Sequence, residues 1–273
     1  PLPFGDPAAI DERGLRVGYY VDDGLVTPSA AIGRAVAEAS QALRDRGLEV
    51  KPFSPPRMRD AVGLYFSLMS ADGGKTAWGQ LQGTAAEPTL LPLRRLSSLP
   101  DAVRGTLVRA LRATGEERPS WLLSRLGEKT VQVLWQLTVA ARAYRLEVIE
   151  AMKAARVDVL LCPAHATPAV PHTLSAQFQI GGSYSMLFNL LQFPAGVVPV
   201  TTVRASERAR PGPARDRFDR LATQVDDRSE GLPVGVQVVG RPFADESVLA
   251  VMLALEAAVE QSSARPVVPR APA

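Results

Sequence analysis

The sequence has little cysteine and histidine and no long apolar run, and each shortage excludes a class of protein. The single cysteine, Cys162, excludes an internal disulfide framework and fits a reducing, intracellular compartment. The two histidines, His165 and His172, are too few and wrongly spaced for a zinc pattern. No run approaches the roughly 18 apolar residues that a transmembrane helix needs.

Charge of one sign is also not in large excess. The chain has 31 basic and 28 acidic residues, for a net charge of +3. This near-balance argues against a nucleic-acid partner, because nucleic-acid binders concentrate basic residues on one face. The sequence starts at Pro1 without a signal peptide, so we expect it to begin inside a longer product or after processing.

The first part of the chain predicts a strand, a helix and a second strand. The strands are LRVGYY (15–20) and LEVKPF (48–53), and the helix spans 27–47. Thr27 is expected to cap this helix, with Pro28 at its first position and Gly47 at its end. A strand-helix-strand unit of about 40 residues indicates a parallel pair in an α/β sheet.

The rest of the chain adds further helices and strands. Residues 157–164, VDVLLCPA, form a nearly all-apolar run that is typical of a central strand buried on both faces. The charged segment 204–230 is interpreted as a surface excursion and 262–273 as a loose tail. The other predicted elements are helices at 57–81 (broken at 72–74), 98–126 (one helix or two), 128–155 and 245–260, and a strand at 231–240.

Several short patterns suggest chemistry but fit simpler interpretations better. Cys162 and His165 could form a pair, yet the apolar surroundings favour an inert buried thiol. Ser183 follows two glycines, but the second glycine of a nucleophile elbow is missing, which favours a turn entering a helix. Lys75 follows Gly73-Gly74 without the spacing of a phosphate loop.

Other stretches, taken together and in order, resemble the amidase signature family. They are PLPF (1–4), LRVGYY (15–20), DGG (72–74), Tyr-Arg (144–145), DVLLCPA (158–164), NLLQFPAGVVPVTTV (189–203) and GLPVGVQVVG (231–240). Within that family the match is closest to the enzymes that hydrolyse fatty acid amides. The resemblance covers most of the chain and implies an α/β fold, a mixed central sheet with helices on both faces. The chain is then the C-terminal part of a single amidase domain, 1–273.

The same resemblance implies a role for the segment 193–203. It is expected to be a core strand beside the substrate pocket, entered through a turn that contains proline. Pro194 would end the preceding helix. Pro199 would occupy a bulge or an edge position, since proline cannot donate to a sheet ladder.

The family's chemistry uses a serine nucleophile, a bridging serine and a lysine base, with no metal or cofactor. A Gly-Ser-rich loop of the form GGSSGG is absent from this sequence, and Lys75 and Ser183 do not match the family's positions. The catalytic residues are therefore expected upstream, and this chain alone is expected to be inactive.

The resemblance implies that this chain supplies contacts to the substrate. Gly182 and Met186 match positions that line the family's acyl-chain channel, and Phe243 matches an aromatic residue of the channel wall. Ser70 matches a position that is aromatic in the fatty acid amide enzymes. Core packing is an equally good interpretation of Met186 and Phe243.

Two hypotheses of different class follow from these observations. The first is the C-terminal portion of a serine amidase that hydrolyses fatty acid amides to a fatty acid and an amine, either in one longer chain or completed in trans. The alternative is a non-catalytic lipid-binding or interaction module. The amphipathic segment 98–126 could contact a membrane peripherally or form a solvated or dimer contact, so a homodimer is a further expectation.

Overall fold

The computed structural model describes residues 4–84, 88–210 and 212–260, so the predicted tail 262–273 lies outside the described residues. Within them, a five-stranded sheet has the order β2-β1-β3-β5-β4. β1 is parallel to β2 and β3, whereas β5 is antiparallel to β3 and β4. The sheet is therefore mixed, as the family resemblance implies. The strands are β1 Arg16–Tyr19, β2 Glu49–Pro52, β3 Val159–Pro163, β4 Ala195–Thr202 and β5 Pro233–Gly240.

Helices cover both faces of this sheet. The alternation of side chains along β3 divides the core, because Val159 and Leu161 join one hydrophobic cluster and Leu160 and Cys162 join the other. The described helices are α1 Ala30–Asp45, α2 Met58–Met69, α3 Lys75–Gln80, α4 Leu91–Ser97, α5 Asp101–Ala113, α6 Glu117–Arg125, α7 Val131–Ala154, α8 Ser183–Leu191, α9 Arg217–Asp227 and α10 Asp245–Val259. Helices α1 and α10 pack on the first face, and α2, α7, α8 and α9 pack on the second.

The prolines of the segment 193–203 are placed as expected. The backbone of Gln192 turns into the left-handed region and ends α8 before Pro194. β4 is the last strand of the sheet, and its pairing with β5 shifts register between Pro199 and Thr201. Pro199 thus sits at both an edge and a bulge, where its missing N–H disrupts no ladder of the sheet interior.

Helix α1 begins later than predicted. Ser29, not Thr27, is the N-cap, and its hydroxyl accepts the Ile32 N–H at 3.4 Å. The Ser29 N–H donates to the carbonyl of Ala166 at 2.8 Å, which holds this residue extended and prevents the helix from starting earlier. Gly47 follows the helix with a positive φ of 91°, as expected for a residue that ends it.

The apolar positions of α7 are buried only in its C-terminal half. Tyr144, Val148 and Met152 are buried, but Val131 is 70% exposed and Leu134 39% exposed. With 24 residues, α7 is about 36 Å long, roughly twice the length of its 12-residue neighbour α2. The N-terminal half of α7 therefore extends beyond α2, the helix that packs against its C-terminal half.

The charged segment 204–230 is more than a surface excursion, because it contains α9, whose apolar face is buried. The Arg118 guanidinium of α6 donates to both carboxylate oxygens of Asp216 at 2.6 Å and to the Leu25 carbonyl at 2.8 Å. Asp216 also caps α9 by accepting the Phe218 N–H at 2.9 Å. The sequence prediction missed this because charged residues are usually exposed.

Candidate substrate site

An apolar cleft of about 300 Å³ opens where β3 ends and β5 begins. Ile32 of α1, Val197 of β4 and Val234 of β5 line it together with the loop 164–170. In open α/β sheets, ligands bind beside the carboxyl ends of parallel strands, which is where the chain leaves β3. The volume lies at the lower limit of small-molecule pockets.

His165 is the ionisable side chain in the lining of this cleft. Its Nδ1 lies 3.1 Å from the backbone nitrogen and 3.1 Å from the hydroxyl of Thr167. Its ring meets Phe178 edge to face, with the ring centres 5.8 Å apart. Burial lowers the pKa of His165, so the imidazole is neutral at pH 7.

The ring of His165 also packs on the turn that enters α8. A Cβ placed on Gly181 would lie 2.6 Å from His165 Cε1 and 2.8 Å from Nε2, so this position requires glycine. The carbonyl of Gly181 accepts the Ala166 N–H at 2.8 Å. The glycines before Ser183 therefore allow a close approach of the backbone to the loop that carries His165.

Two of the predicted substrate residues lie beside His165 or next to one another there, and a third follows a helix that packs against α8. A Cβ on Gly182 would lie 3.5 Å from Met186 Cε and 3.7 Å from His165 Cδ2. Ser70 ends α2, which packs against α8, and its hydroxyl donates to the Phe66 carbonyl at 2.7 Å. Phe66 belongs to the second hydrophobic cluster, and Met186 is partly buried and packs against that cluster. The structure thus brings Gly182 and Met186 together and places Ser70 on the adjoining helix.

The fourth predicted residue, Phe243, is placed differently. It follows β5, has a positive φ of 63° and is 81% exposed. It belongs to neither hydrophobic cluster of the described residues. Its aromatic ring is available at the surface, and its assignment to a channel wall stays a prediction.

A buried polar cluster that no sequence pattern predicts lies next to the same turn. The Asp23 carboxylate accepts the Leu25 N–H at 2.8 Å, the Val26 N–H at 3.3 Å and the hydroxyl of Ser183. Burial raises the pKa of Asp23 to about 6, although these hydrogen bonds oppose the increase. Tyr184 donates to the Val26 carbonyl at 2.9 Å. The cluster joins the loop after β1 to the start of α8.

The residues whose sequence patterns suggest other chemistry make structural contacts instead. Ser183 is buried and donates to Asp23 at the entrance of α8, as expected for a helix-entry turn. Cys162 is fully buried and accepts from Gln237 at 3.4 Å, and burial raises the pKa of its thiol to about 12. Lys75 pairs with Glu128 at 2.7 Å on the surface. Within the described residues, no group of three or more His, Cys, Asp or Glu side chains could hold a metal ion.

Comparisons with known proteins agree on one family. The family model of amidases matches residues 2–249. The chain is 35% identical over 262 residues to fatty acid amide hydrolase 1 of Caenorhabditis elegans, covering 95% of this chain and 46% of the relative. It is 34% identical over 261 residues to fatty-acid amide hydrolase 1 of Sus scrofa, covering 94% of this chain and 45% of the relative.

A solved structure of fatty acid amide hydrolase has the same fold. It superposes with a TM-score of 0.74 at 22% identity, over 95% of this chain and 42% of that structure. The chain thus spans less than half the length of the curated relatives and of the structure that it matches.

Proposed function

The chain belongs to the amidase family, and we propose that it is the C-terminal portion of a serine amidase that hydrolyses fatty acid amides to a fatty acid and an amine. The observation that carries this proposal is the 35% identity, across 95% of the chain, to a fatty acid amide hydrolase. In this proposal the serine nucleophile, bridging serine and lysine base lie upstream, and the described residues supply part of the substrate site.

The geometry of the cleft supports a role in substrate binding. Apolar side chains form most of the cleft, Gly182 lies beside His165 of the loop that lines it, and Met186 lies beside Gly182. An acyl chain gains binding free energy from such a lining, about 0.8 kcal/mol for each buried methylene. Ser70 on the adjoining helix and the exposed Phe243 complete the proposed set of substrate contacts.

The two edges of the sheet support the proposal that further chain lies against β4. The β2 edge carries a Glu49–Lys51 ion pair at 2.9 Å, followed by Pro52. Charged residues and proline on an edge strand prevent another strand from pairing with it. The β4 edge carries Ala195, Val197 and Pro199 and no charge, and Val197 is 50% exposed. An uncharged apolar edge of this kind is expected to be covered in the complete protein.

We also propose a peripheral membrane contact through α5 and α6. Val103 and Leu107 lie one helical turn apart on α5 and are exposed, and Arg109 and Arg112 are exposed on the same helix. Apolar and basic side chains together favour the interface of an anionic membrane. No helix of the described residues is long and apolar enough to cross a bilayer. The expected homodimer stays a prediction.

The decisive experiment uses the native protein from its source cells. We expect an intact mass of about twice the 29.2 kDa of this chain, labelling by a serine-directed fluorophosphonate, and release of free fatty acid from a long-chain primary fatty amide. The matched control is this chain expressed alone, which is expected neither to be labelled nor to release fatty acid. A native protein near 29.2 kDa that escapes labelling would contradict the proposal and favour a non-catalytic lipid-binding or interaction module.

A further inference from the structure

Ser97 follows the only pair of adjacent basic residues in the sequence. Arg94 and Arg95 stand three and two positions before it, in the stretch RRLSS (94–98). Protein kinases select substrates by charge pattern among other features, and one broad class favours arginine at these two positions before the serine that it phosphorylates. The pattern therefore predicts a modification site at Ser97, provided that a kinase can reach the hydroxyl.

The structure places this serine within reach of a kinase. Ser97 is the last residue of α4, a helix of only seven residues, and it is partly exposed. Its hydroxyl donates to the Arg94 carbonyl at 2.9 Å and accepts the indole N–H of Trp78 at 2.9 Å. The end of so short a helix opens at little cost in free energy. Arg94 and Arg95 are exposed and have no ion pair with another described residue, so both can bind an acidic kinase surface.

A cleft of about 810 Å³ beside Ser97 leaves room for a phosphate. Besides Ser97 and Ser98, its lining contains three cations and two carboxylates: Lys75, Arg94, Lys129, Asp101 and Glu128. Both carboxylates are already paired, Asp101 with Arg104 and Glu128 with Lys75. Arg94 is left to bind phosphate oxygens, and such charge-assisted hydrogen bonds are among the stronger ones. The cleft can therefore hold the modified side chain.

A phosphate on Ser97 would change the charge of the surface formed by α4 and α5. These two helices carry five arginines and one carboxylate, Asp101, which gives them a net charge of +4. A serine phosphate carries about −2 at pH 7, so it halves this charge. Ser97 and Asp101 line the same cleft, so the phosphate lies beside the first turn of α5. Electrostatic attraction between α5 and an anionic membrane would weaken accordingly.

We propose that Ser97 is a phosphorylation site of an arginine-directed serine kinase, and that its phosphate releases α5 from an anionic membrane. In the transfer, Ser97 Oγ bonds to the terminal phosphorus of ATP, the bond from that phosphorus to ADP breaks, and the hydroxyl proton passes to a base of the kinase. The hydrogen bond from Ser97 to the Arg94 carbonyl is lost with that proton. The effect on membrane binding rests on the proposed function, whereas the modification of Ser97 does not.

The modification is tested by incubating the purified protein with ATP and a cyclic-AMP-dependent protein kinase, followed by peptide mass spectrometry. We expect one phosphate, on Ser97. Ser97→Ala should take up none, and the matched control Ser98→Ala should be modified like the wild type. Arg95→Gln should be modified at least about tenfold more slowly, because it lacks half of the charge pattern. No phosphate on the wild type, a phosphate on Ser98 instead, or equal uptake by Ser97→Ala would overturn the assignment.

The consequence is tested by cosedimentation with vesicles of phosphatidylserine and phosphatidylcholine in equal parts. We expect the phosphorylated protein to bind at least about tenfold more weakly than the unmodified protein. Vesicles of phosphatidylcholine alone are the control, because a charge effect requires a charged surface. Equal binding of both forms to the anionic vesicles, or an equal loss on the neutral ones, would refute the electrostatic release. An unmodified protein that does not bind the anionic vesicles would refute the membrane contact of the proposed function as well, so the two failures are distinguishable.

Discussion

The buried carboxylate of Asp23 predicts that the protein loses stability as pH rises from about 4 to 6. Burial raises the pKa of Asp23 in the folded state from its ordinary value of 3.8 to about 6. Between these two values the folded state binds more protons than the unfolded state, so the free energy of unfolding falls as pH rises. Below pH 3.8 the contribution is fully present, and above pH 6 it is lost. A change from 3.8 to about 6 corresponds to at most about 3 kcal/mol.

The substitution Asp23→Asn isolates this contribution. Its amide oxygen can still accept the Leu25 N–H, and its NH₂ group can donate to Ser183, which then acts as acceptor. Urea unfolding of both proteins at several pH values gives the free energy of unfolding, and other titrating groups cancel in the difference. Relative to the wild type, we expect the variant to become up to about 3 kcal/mol more stable between pH 4 and pH 7.

A second variant tests the cause of the effect. Ser183→Ala removes a hydrogen bond that stabilises the charged form of Asp23, so the loss of stability should move to higher pH. If the difference between wild type and Asp23→Asn is the same at pH 4 and pH 7, the carboxylate bears no desolvation cost and the reasoning is refuted.

Two other predictions concern α6 and α5. Arg118→Met leaves Asp216 and Asp219 buried without their shared cation, and should lower the free energy of unfolding by about 3–5 kcal/mol; a loss below about 1 kcal/mol in urea unfolding would contradict this. Replacing Val103 and Leu107 together by Asp should weaken cosedimentation with anionic vesicles by at least about tenfold while lowering the free energy of unfolding by only about 2 kcal/mol, because the two residues are 46% and 39% exposed. Undiminished vesicle binding by that double variant would reject α5 as the contact.

The sheet was predictable because its signals are local. Apart from β2, which carries Glu49 and Lys51, each strand coincides with an apolar or β-branched run, and the uniform run of 157–164 places β3 at the centre. Pro199 indicates a bulge or an edge from its missing N–H alone. Boundaries were less accurate: the start of α1 depends on the hydrogen bond from Ser29 to Ala166, which is 137 positions away in the chain.

The candidate site was predictable only in part, because its contacts join distant positions. Asp23 and Ser183 are 160 positions apart, and no spacing or periodicity connects them. His165 carried a signal only as a histidine after a buried strand, and its proximity to Gly181 depends on the turn before α8. The exposure of the N-terminal half of α7 was not predictable either, because the apolar pattern of a helix does not show how long the helices packed against it are.

The turn formed by Gly181, Gly182 and Ser183 connects the cleft to the buried carboxylate. Gly181 contacts the ring of His165, and Ser183, two positions later, donates to Asp23. A change at Asp23 can therefore alter stability without altering any side chain that lines the cleft, whereas a change at His165 alters the cleft directly.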